Sequence, residues 1–212
     1  MIDIKQIIFD LVGVILNIDY HLTIKAFIDL GVEDFNRIYC QAKQINLFDN
    51  LDKGLIKPQQ FRDELRKLTG ILMSDDDIDE AWNAILLDFP EENIALLQEI
   101  KKHYRTFILS NTNEIHFPVY TKNLQEKFGI NELSDLFEKE YYSHKLGLRK
   151  PDKKIFELVL SENNLNPAET LFIDDSEQNT EAASALGIQT YLFKPGEKLS
   201  DLFSEGKLII KD

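Results

Sequence analysis

Five polar side chains directly follow short apolar segments that are typical of buried strands. They are Asp10, Ser110, Asn111, Asp174 and Asp175, and the segments before them are Ile7–Phe9, Thr106–Leu109 and Thr170–Ile173. On its own, an Asp at such a place is equally typical of a turn. Strands that alternate with helices form parallel sheets, however, and ligands bind at the edge where their carboxyl ends meet. We therefore expect these side chains to converge.

Their chemistry points to a metal ion and an anionic substrate. Three carboxylates gathered at one edge would repel one another unless a cation lies among them. Oxygen ligands suit Mg²⁺, which commonly takes one or two carboxylates together with substrate phosphate oxygens. The hydroxyl of Ser110 and the backbone N–H groups after it suit phosphate oxygens. Lys150, directly before Pro151, can bring an ammonium group to the same edge.

The elements that must position these residues predict an α/β fold. Strand and helix alternate from residue 90 onward, so we expect a parallel sheet with right-handed crossovers. Residues 18–89 instead predict four helices without a strand: one that ends at Gly31, one over Val32–Leu47, one from Pro58 and one after Ser74–Asp77, with a turn over Asn50–Lys57. We interpret these helices as an insertion, which leaves a core of residues 1–17 and 90–212.

Composition and charge restrict the partners. The 212 residues carry a formal net charge of −13, which argues against nucleic acid or an anionic membrane surface as a partner. They include one cysteine, which excludes an intrachain disulfide. No apolar run approaches the roughly 20 residues that span a bilayer. The first residues lack a cationic segment and a cleavage site, so we expect no signal peptide. We expect a cytoplasmic protein, a monomer or homodimer, without a nucleic-acid or membrane partner.

Four segments, in this order, resemble the motifs of the haloacid dehalogenase-like hydrolase superfamily. They are Phe9–Val14, Leu109–Asn113, Gly147–Asp152 and Phe172–Ser176. The helical insertion lies where this superfamily places its helical (C1) cap. The segment Asp52–Ile56, with Phe61, resembles the branch that contains glucose-1-phosphate phosphatases and epoxide-hydrolase N-terminal domains. The resemblance covers nearly the whole chain and implies a Rossmann-like core.

The resemblance also implies a role for each motif residue. Asp10 would attack phosphorus as a covalent nucleophile. Mg²⁺ would be held by the Asp10 carboxylate, the backbone carbonyl of Val12 and Asp175, with Asp174 bonding directly or through water. Ser110, the backbone amide of Asn111 and Lys150 would hold the phosphoryl oxygens. The implied activity is a Mg²⁺-dependent phosphatase of small organic phosphates, sugar phosphates among them. Arg149, beside Lys150, is expected to face solvent.

Val12 departs from the superfamily pattern. Many of its phosphatases carry a second Asp two residues after the nucleophile, where it protonates the leaving oxygen and then activates water. Such help is typically worth 10²–10⁴-fold in rate, and valine cannot supply it. Three explanations are open: a substrate with a good leaving group, a replacement acid for which Asp19 is the candidate, or a catalytically weak protein that binds a phosphorylated metabolite.

The same valine raises a further alternative, a 2-haloacid dehalogenase. Dehalogenases of this superfamily also lack the second Asp, but they need no Mg²⁺ and usually lack an acidic pair in the fourth motif. The pair Asp174-Asp175 is present here. The sequence therefore favours metal-dependent phosphoryl transfer over dehalogenation.

Overall fold

A parallel five-stranded sheet forms the centre of the molecule. The computed structural model describes residues 3–209, apart from the side chains at positions 40–42 and 44. The strands are β1 (Gln6–Phe9), β2 (Arg105–Ser110), β3 (Lys139–Tyr142), β4 (Thr170–Asp174) and β5 (Gln189–Leu192). They run in the order β3-β2-β1-β4-β5. All neighbouring pairs are parallel, so the carboxyl ends of β2, β1 and β4 lie side by side.

The apolar runs of the strands are continuous because both faces of the sheet are covered. In β1, Ile7 and Phe9 belong to one buried cluster, and Ile8 belongs to another on the opposite face. The same alternation holds in β4, where Ile173 lies on the first face and Phe172 on the second. Strands of this kind are typical of parallel sheets between two layers of helices. The structure thus confirms the predicted α/β fold.

Helices and a small hairpin complete the described part of the chain. The helices are α1 (Tyr20–Asp29), α2 (Phe35–Gln44), α3 (Leu47–Asp52), α4 (Pro58–Thr69), α5 (Asp75–Asn83), α6 (Glu91–Ile100), α7 (His116–Phe128), α8 (Ser143–Leu146), α9 (Lys153–Asn163) and α10 (Glu177–Ser184). The hairpin pairs β6 (Phe203–Ser204) with β7 (Lys207–Leu208). None of the helices between residues 3 and 209 is long and apolar enough to cross a membrane.

Helices α1–α5 pack around an apolar cluster of their own. Phe27, Leu51, Phe61 and Ile78 are each at most 1% exposed, and Ile115 of the core contributes to the same cluster. The two chain segments that join these helices to the sheet pair with each other through backbone hydrogen bonds, from residue 17 to residue 88 and from residue 19 to residue 85. We call residues 18–89 the helical insertion; its division from the core at these boundaries stays a prediction.

The insertion contains five helices, so the prediction of four was wrong in this detail. The predicted helix over Val32–Leu47 ends at Gln44, and a separate helix, α3, takes the first part of the predicted turn. The break lies at Asn46, which has the left-handed conformation, with φ of 54°. Asn tolerates this conformation better than most residues because its short side chain can bond locally. Amphipathic periodicity alone does not reveal such a break.

A stacked pair of rings joins the insertion to the core. His116, the first residue of α7, stacks on Trp82 of α5, with 5.4 Å between the ring centroids and 9° between the planes. Its Nδ1 atom lies 2.8 Å from Oδ1 of Asn83. Burial lowers the pKa of His116 to about 3. The imidazole is therefore neutral in the folded protein at physiological pH.

The neutral His116 should make the folded state less stable in mild acid. An unfolded histidine has a pKa near 6.5, so below that pH the unfolded chain binds a proton that the folded chain does not. Between pH 7 and pH 5 we expect this group to lower the free energy of unfolding by about 1–2 kcal/mol. Denaturant titrations at both pH values measure the change.

The matched variant is His116→Asn, which keeps a donor toward Asn83 and cannot titrate. We expect it to be less stable than wild type at pH 7, because the stacked ring is lost, but to lose less stability on acidification. His103→Gln, which removes an exposed histidine, serves as the control. Equal pH dependence in wild type and His116→Asn would contradict the assignment.

Candidate active site

Three carboxylates meet at the carboxyl end of the sheet. One oxygen from each of Asp10, Asp174 and Asp175 lies within 4.8 Å of the others. Asp10 follows β1, and its backbone N–H donates to the carbonyl of Ile173 in β4 at 2.8 Å. Asp10 and Asp174 are buried, whereas Asp175 is exposed to solvent. The predicted convergence of these three residues is what the structure shows.

The turn after Asp10 makes room for Asp175. Gly13 has a φ of +91°, and a Cβ atom placed on it would lie 2.3 Å from Oδ2 of Asp175. A side chain at this position would therefore be strained and would displace the carboxylate. Val12, one residue earlier, packs its half-buried side chain against the apolar cluster of the core. The valine side chain brings no polar group to the site.

Lys150 lies between two of the carboxylates. Its Nζ atom is 2.8 Å from Oδ1 of Asp10 and 2.7 Å from Oδ2 of Asp174, and its side chain is 1% exposed. The side chain of Asn111 holds the backbone of Lys150 on both sides: Oδ1 accepts from its N–H at 2.9 Å, and Nδ2 donates to its carbonyl at 3.0 Å. Asn111 thus joins the loop after β2 to the loop that carries Lys150.

Asp174 has two further partners. Its Oδ1 atom accepts from the backbone N–H of Ser176 at 2.8 Å and from Nδ2 of Asn179 at 2.9 Å. Asn179, in the first turn of α10, was missed by the sequence analysis. An Asn one turn into a helix carries no local signal of such a contact. These bonds hold Asp174 in a fixed orientation beside Lys150.

Ser110 presents a buried hydroxyl at the end of β2. The residue is fully buried, and among residues 3–209 its Oγ atom has no hydrogen-bond partner. A buried polar atom without a partner costs free energy, so its presence requires an explanation. A phosphate oxygen bound at this edge of the sheet would supply the missing bond.

The charges at the site are unbalanced. Burial, reinforced by the neighbouring Asp174 and Asp175 and opposed by Lys150, raises the pKa of Asp10 to about 8. Partial desolvation and the charge of Asp174 likewise raise the pKa of Asp175. Burial alone would lower the pKa of Lys150, but Asp10 and Asp174 outweigh it and raise the pKa instead. One ammonium therefore faces three carboxylates.

This donor set fits Mg²⁺. The converging atoms are oxygens, two of the three carboxylates are largely removed from water, and a divalent cation would remove their mutual repulsion. Asp10, Asp174 and Asp175 offer the side-chain ligands, and Val12 lies in the turn that would supply a backbone carbonyl. The observed geometry is therefore consistent with the magnesium site that the sequence predicts.

Asp19, the candidate replacement acid, lies apart from this group. It precedes α1, and its Oδ1 atom accepts from the backbone N–H of His21 at 2.8 Å, so it caps the helix. It lines a cleft of about 540 Å³ that is also lined by Asp175 and Gly13. Tyr20 lines the same cleft. Partial desolvation, followed by the charges of Asp175 and Asp10, raises the pKa of Tyr20 to about 12.

Arg149 was predicted to face solvent, but this prediction was wrong. Its guanidinium forms ion pairs with Asp49 and Asp52 of the insertion, and its side chain is 24% exposed. The expectation was wrong because the partners lie about 100 residues earlier in the chain. The residues next to Lys150 in the chain do not indicate that Asp49 and Asp52 lie beside Arg149.

Known proteins are similar to this chain in sequence and fold. Residues 4–187 match the family model of haloacid dehalogenase-like hydrolases. The chain is 30% identical over 190 residues to the D-ribitol-5-phosphate phosphatase of Bacteroides thetaiotaomicron. The aligned residues cover 89% of this chain and 91% of the relative.

Solved structures extend the comparison. A haloacid dehalogenase family enzyme from Bacteroides thetaiotaomicron superposes with a TM-score of 0.88 at 39% identity, over 95% of this chain and 98% of that one. The wild-type form in complex with magnesium and inorganic phosphate gives a TM-score of 0.83 at 38% identity, over 95% and 100% of the two chains. With the family model matched over most of its length, the chain belongs to the haloacid dehalogenase-like hydrolase family.

Proposed function

We propose that the protein is a Mg²⁺-dependent phosphatase that hydrolyses small organic phosphates through an aspartyl phosphate on Asp10. The observation that carries the proposal is the buried group formed by Asp10, Lys150 and Asp174, beside Asp175 and the unpartnered hydroxyl of Ser110. The predicted class of enzyme and its metal are confirmed by a phosphatase relative and by a related structure that contains magnesium and phosphate. The roles of individual residues remain proposals.

In the first step, a carboxylate oxygen of Asp10 attacks phosphorus, and the bond between phosphorus and the leaving oxygen breaks. The described hydrogen bond and ion pair of Asp10 both use Oδ1, from Leu11 N–H and Lys150, which leaves Oδ2 for the attack. Lys150, the hydroxyl of Ser110 and the backbone amide of Asn111 hold the phosphoryl oxygens. Their fixed positions stabilise charge without reorganisation during the reaction.

In the second step, water attacks the aspartyl phosphate, phosphate leaves and the Asp10 carboxylate is restored. Bound Mg²⁺, held by Asp10, the Val12 carbonyl, Asp174 and Asp175, would supply positive charge that offsets the negative charge of the phosphoryl group. In the first step, Asp19 is the proposed proton donor to the leaving oxygen, because it lines the same cleft as Asp175.

The substrate class follows from the relative. D-ribitol 5-phosphate, a polyol phosphate, is the substrate in that protein's name, and we propose sugar and polyol phosphates for this chain. The helical insertion would act as the cap that excludes water and contacts the leaving group. A cytoplasmic location, a monomeric or dimeric state and the absence of nucleic-acid or membrane partners stay predictions.

Replacing Asp10 tests the nucleophile. Asp10→Asn keeps the size of the side chain but removes its nucleophilic charge, and we expect release of phosphate from D-ribitol 5-phosphate or p-nitrophenyl phosphate to fall by at least about 10³-fold. Addition of EDTA should stop the wild-type enzyme, and excess Mg²⁺ should restore it.

Asp29→Asn, an exposed change on α1, is the control and should keep full activity. Undiminished turnover by Asp10→Asn would exclude the proposed intermediate. A wild-type protein that binds phosphorylated metabolites but turns none over would favour the alternative, a binding protein. Halide release from 2-haloacids that survives EDTA would instead favour a dehalogenase.

Magnesium affinity should depend on pH. Because the pKa of Asp10 is raised to about 8, the metal must displace a proton below that pH, and its apparent affinity should rise by up to about tenfold per pH unit between pH 6 and 8. Calorimetry in two buffers of different ionisation enthalpy measures both the affinity and the released proton. Asp10→Asn should bind more weakly and with a shallower pH dependence; equal slopes would contradict the assignment.

Replacing Asp19 tests the proton donor. Asp19→Asn can still cap α1 through its side-chain oxygen, so the fold should be retained. We expect kcat for D-ribitol 5-phosphate to fall by about 10²-fold or more, and kcat for p-nitrophenyl phosphate to change less, because its leaving group needs no proton. Unchanged kcat and pH profile for both substrates would remove Asp19 from the mechanism.

A further inference from the structure

Arg149 joins the core to the helical insertion through two carboxylates. Its Nη1 atom pairs with Oδ1 of Asp49, and its Nη2 atom lies 3.5 Å from Oδ2 of Asp52. The Asp52 side chain is only 18% exposed. Burial raises the pKa of Asp52, and the charge of Arg149 opposes this. A largely buried carboxylate without its cation would be costly, so this contact favours one position of α3.

Asn113 holds the other oxygen of the same carboxylate. Its Nδ2 atom donates to Oδ1 of Asp52 at 3.2 Å. Asn113 is itself buried, and its Oδ1 atom accepts from the backbone N–H groups of Ile115 and His116 at the start of α7. Both oxygens of Asp52 therefore contact side chains of the core.

The two core residues belong to the loops that carry the site. Arg149 directly precedes Lys150, and Asn113 lies three residues after Ser110. The side chain of Asn111 bonds both backbone groups of Lys150, which ties these loops to each other. A displacement of α3 would thus act on the backbone that presents Lys150 to Asp10.

The end of α3 also touches the core directly. Gly54, in the turn after α3, has a φ of +65°, and a Cβ atom placed there would lie 2.3 Å from the backbone oxygen of His144. The turn after α3 therefore packs directly against the backbone of α8, which precedes the loop that carries Lys150.

Other ion pairs of the insertion differ from this one in place or burial. Lys57 pairs with Glu114 of the core at 2.6 Å, but their side chains are 68% and 36% exposed, and exposed pairs contribute little. Arg62 pairs with Asp79 and Asp75, all within the insertion. Arg62 thus provides an internal control with the same chemistry.

We infer that Arg149 is a positioning residue, with Asp52 as its partner, that holds α3 and the turn after it against the loops of the site and keeps Lys150 in place beside Asp10. The inference rests on the proposed phosphatase function. Arg149 makes no contact with the reacting atoms. Its effect is to couple the position of the insertion to the geometry of the phosphate-holding loops.

Kinetics of four variants test the coupling: Arg149→Gln, Arg149→Lys, Asp52→Asn and the double variant Arg149→Gln/Asp52→Asn. Small misplacements of reacting groups cost up to about 10²-fold, so we expect Arg149→Gln to lower kcat/KM for D-ribitol 5-phosphate by at least about tenfold. Arg149→Lys should recover part of the loss. The double variant should be no worse than the worse single variant, because Arg149→Gln already breaks the ion pair that Asp52→Asn removes.

Arg62→Gln should lower the melting temperature and leave kcat/KM within about twofold of wild type. Full activity of Arg149→Gln, or losses that simply multiply in the double variant, would overturn the inference. So would an equal loss of activity in Arg62→Gln, because the effect would then follow general stability of the insertion.

Amide hydrogen exchange provides a test that is independent of activity. Without substrate, Arg149→Gln should exchange at least about tenfold faster than wild type over α3 and residues 53–57, whereas Arg62→Gln should not change this segment. Unchanged exchange in Arg149→Gln would overturn the inference. An inactive wild-type protein would instead overturn the proposed function and leave the exchange result to be judged separately.

Discussion

The ammonium of Lys150 between Asp10 and Asp174 is the interaction on which the site depends. All three groups are almost fully removed from water. Charges buried in this way are tolerated only with close partners and further hydrogen bonds, and loss of one partner leaves an expensive uncompensated charge. Asn179 and the N–H of Ser176 supply the additional bonds to Asp174. The excess negative charge that remains, with Asp175, makes the same place attractive to a divalent cation.

The sheet makes this arrangement possible. Because β1 lies between β2 and β4, three segments that are distant in the chain end side by side. Both faces of the sheet are covered by apolar side chains, so the strands cannot shift without exposing them. The polar groups at their ends are therefore held on a rigid support, which is what a preorganised site requires.

The contact between the insertion and the core has a different character. The insertion has its own apolar cluster, to which the core contributes Ile115. Across the boundary the described contacts include the ion pairs of Arg149 and Lys57 and the stack of Trp82 on His116. The boundary therefore combines apolar contacts with charged pairs, and the ion pairs of Arg149 lie directly beside Lys150 in the chain.

The sequence by itself determined the fold class, the alternation of strands and helices in the core, and the polar residues at the strand ends. Those features depend on local patterns: an apolar run buried on both faces, a carboxylate directly after it, and a glycine at a turn that needs positive φ. The proposed catalytic group could be recognised for the same reason, since Asp10, Ser110 and Asp174 each end a strand and parallel strands end together.

Only the tertiary structure decided the partners of these residues. Three contacts illustrate this: the hydrogen bond from Asn179 to Asp174, the hydrogen bonds of Asn111 with the backbone of Lys150, and the ion pair of Arg149 with Asp52. In each case the neighbouring residues in the chain do not indicate the contact. The break at Asn46 is similar, because a left-handed residue interrupts a helix without changing its hydrophobic period. The physical reason is the same in each case: apolar periodicity reports which face of an element is buried, whereas a polar side chain is satisfied by whatever group the fold places beside it.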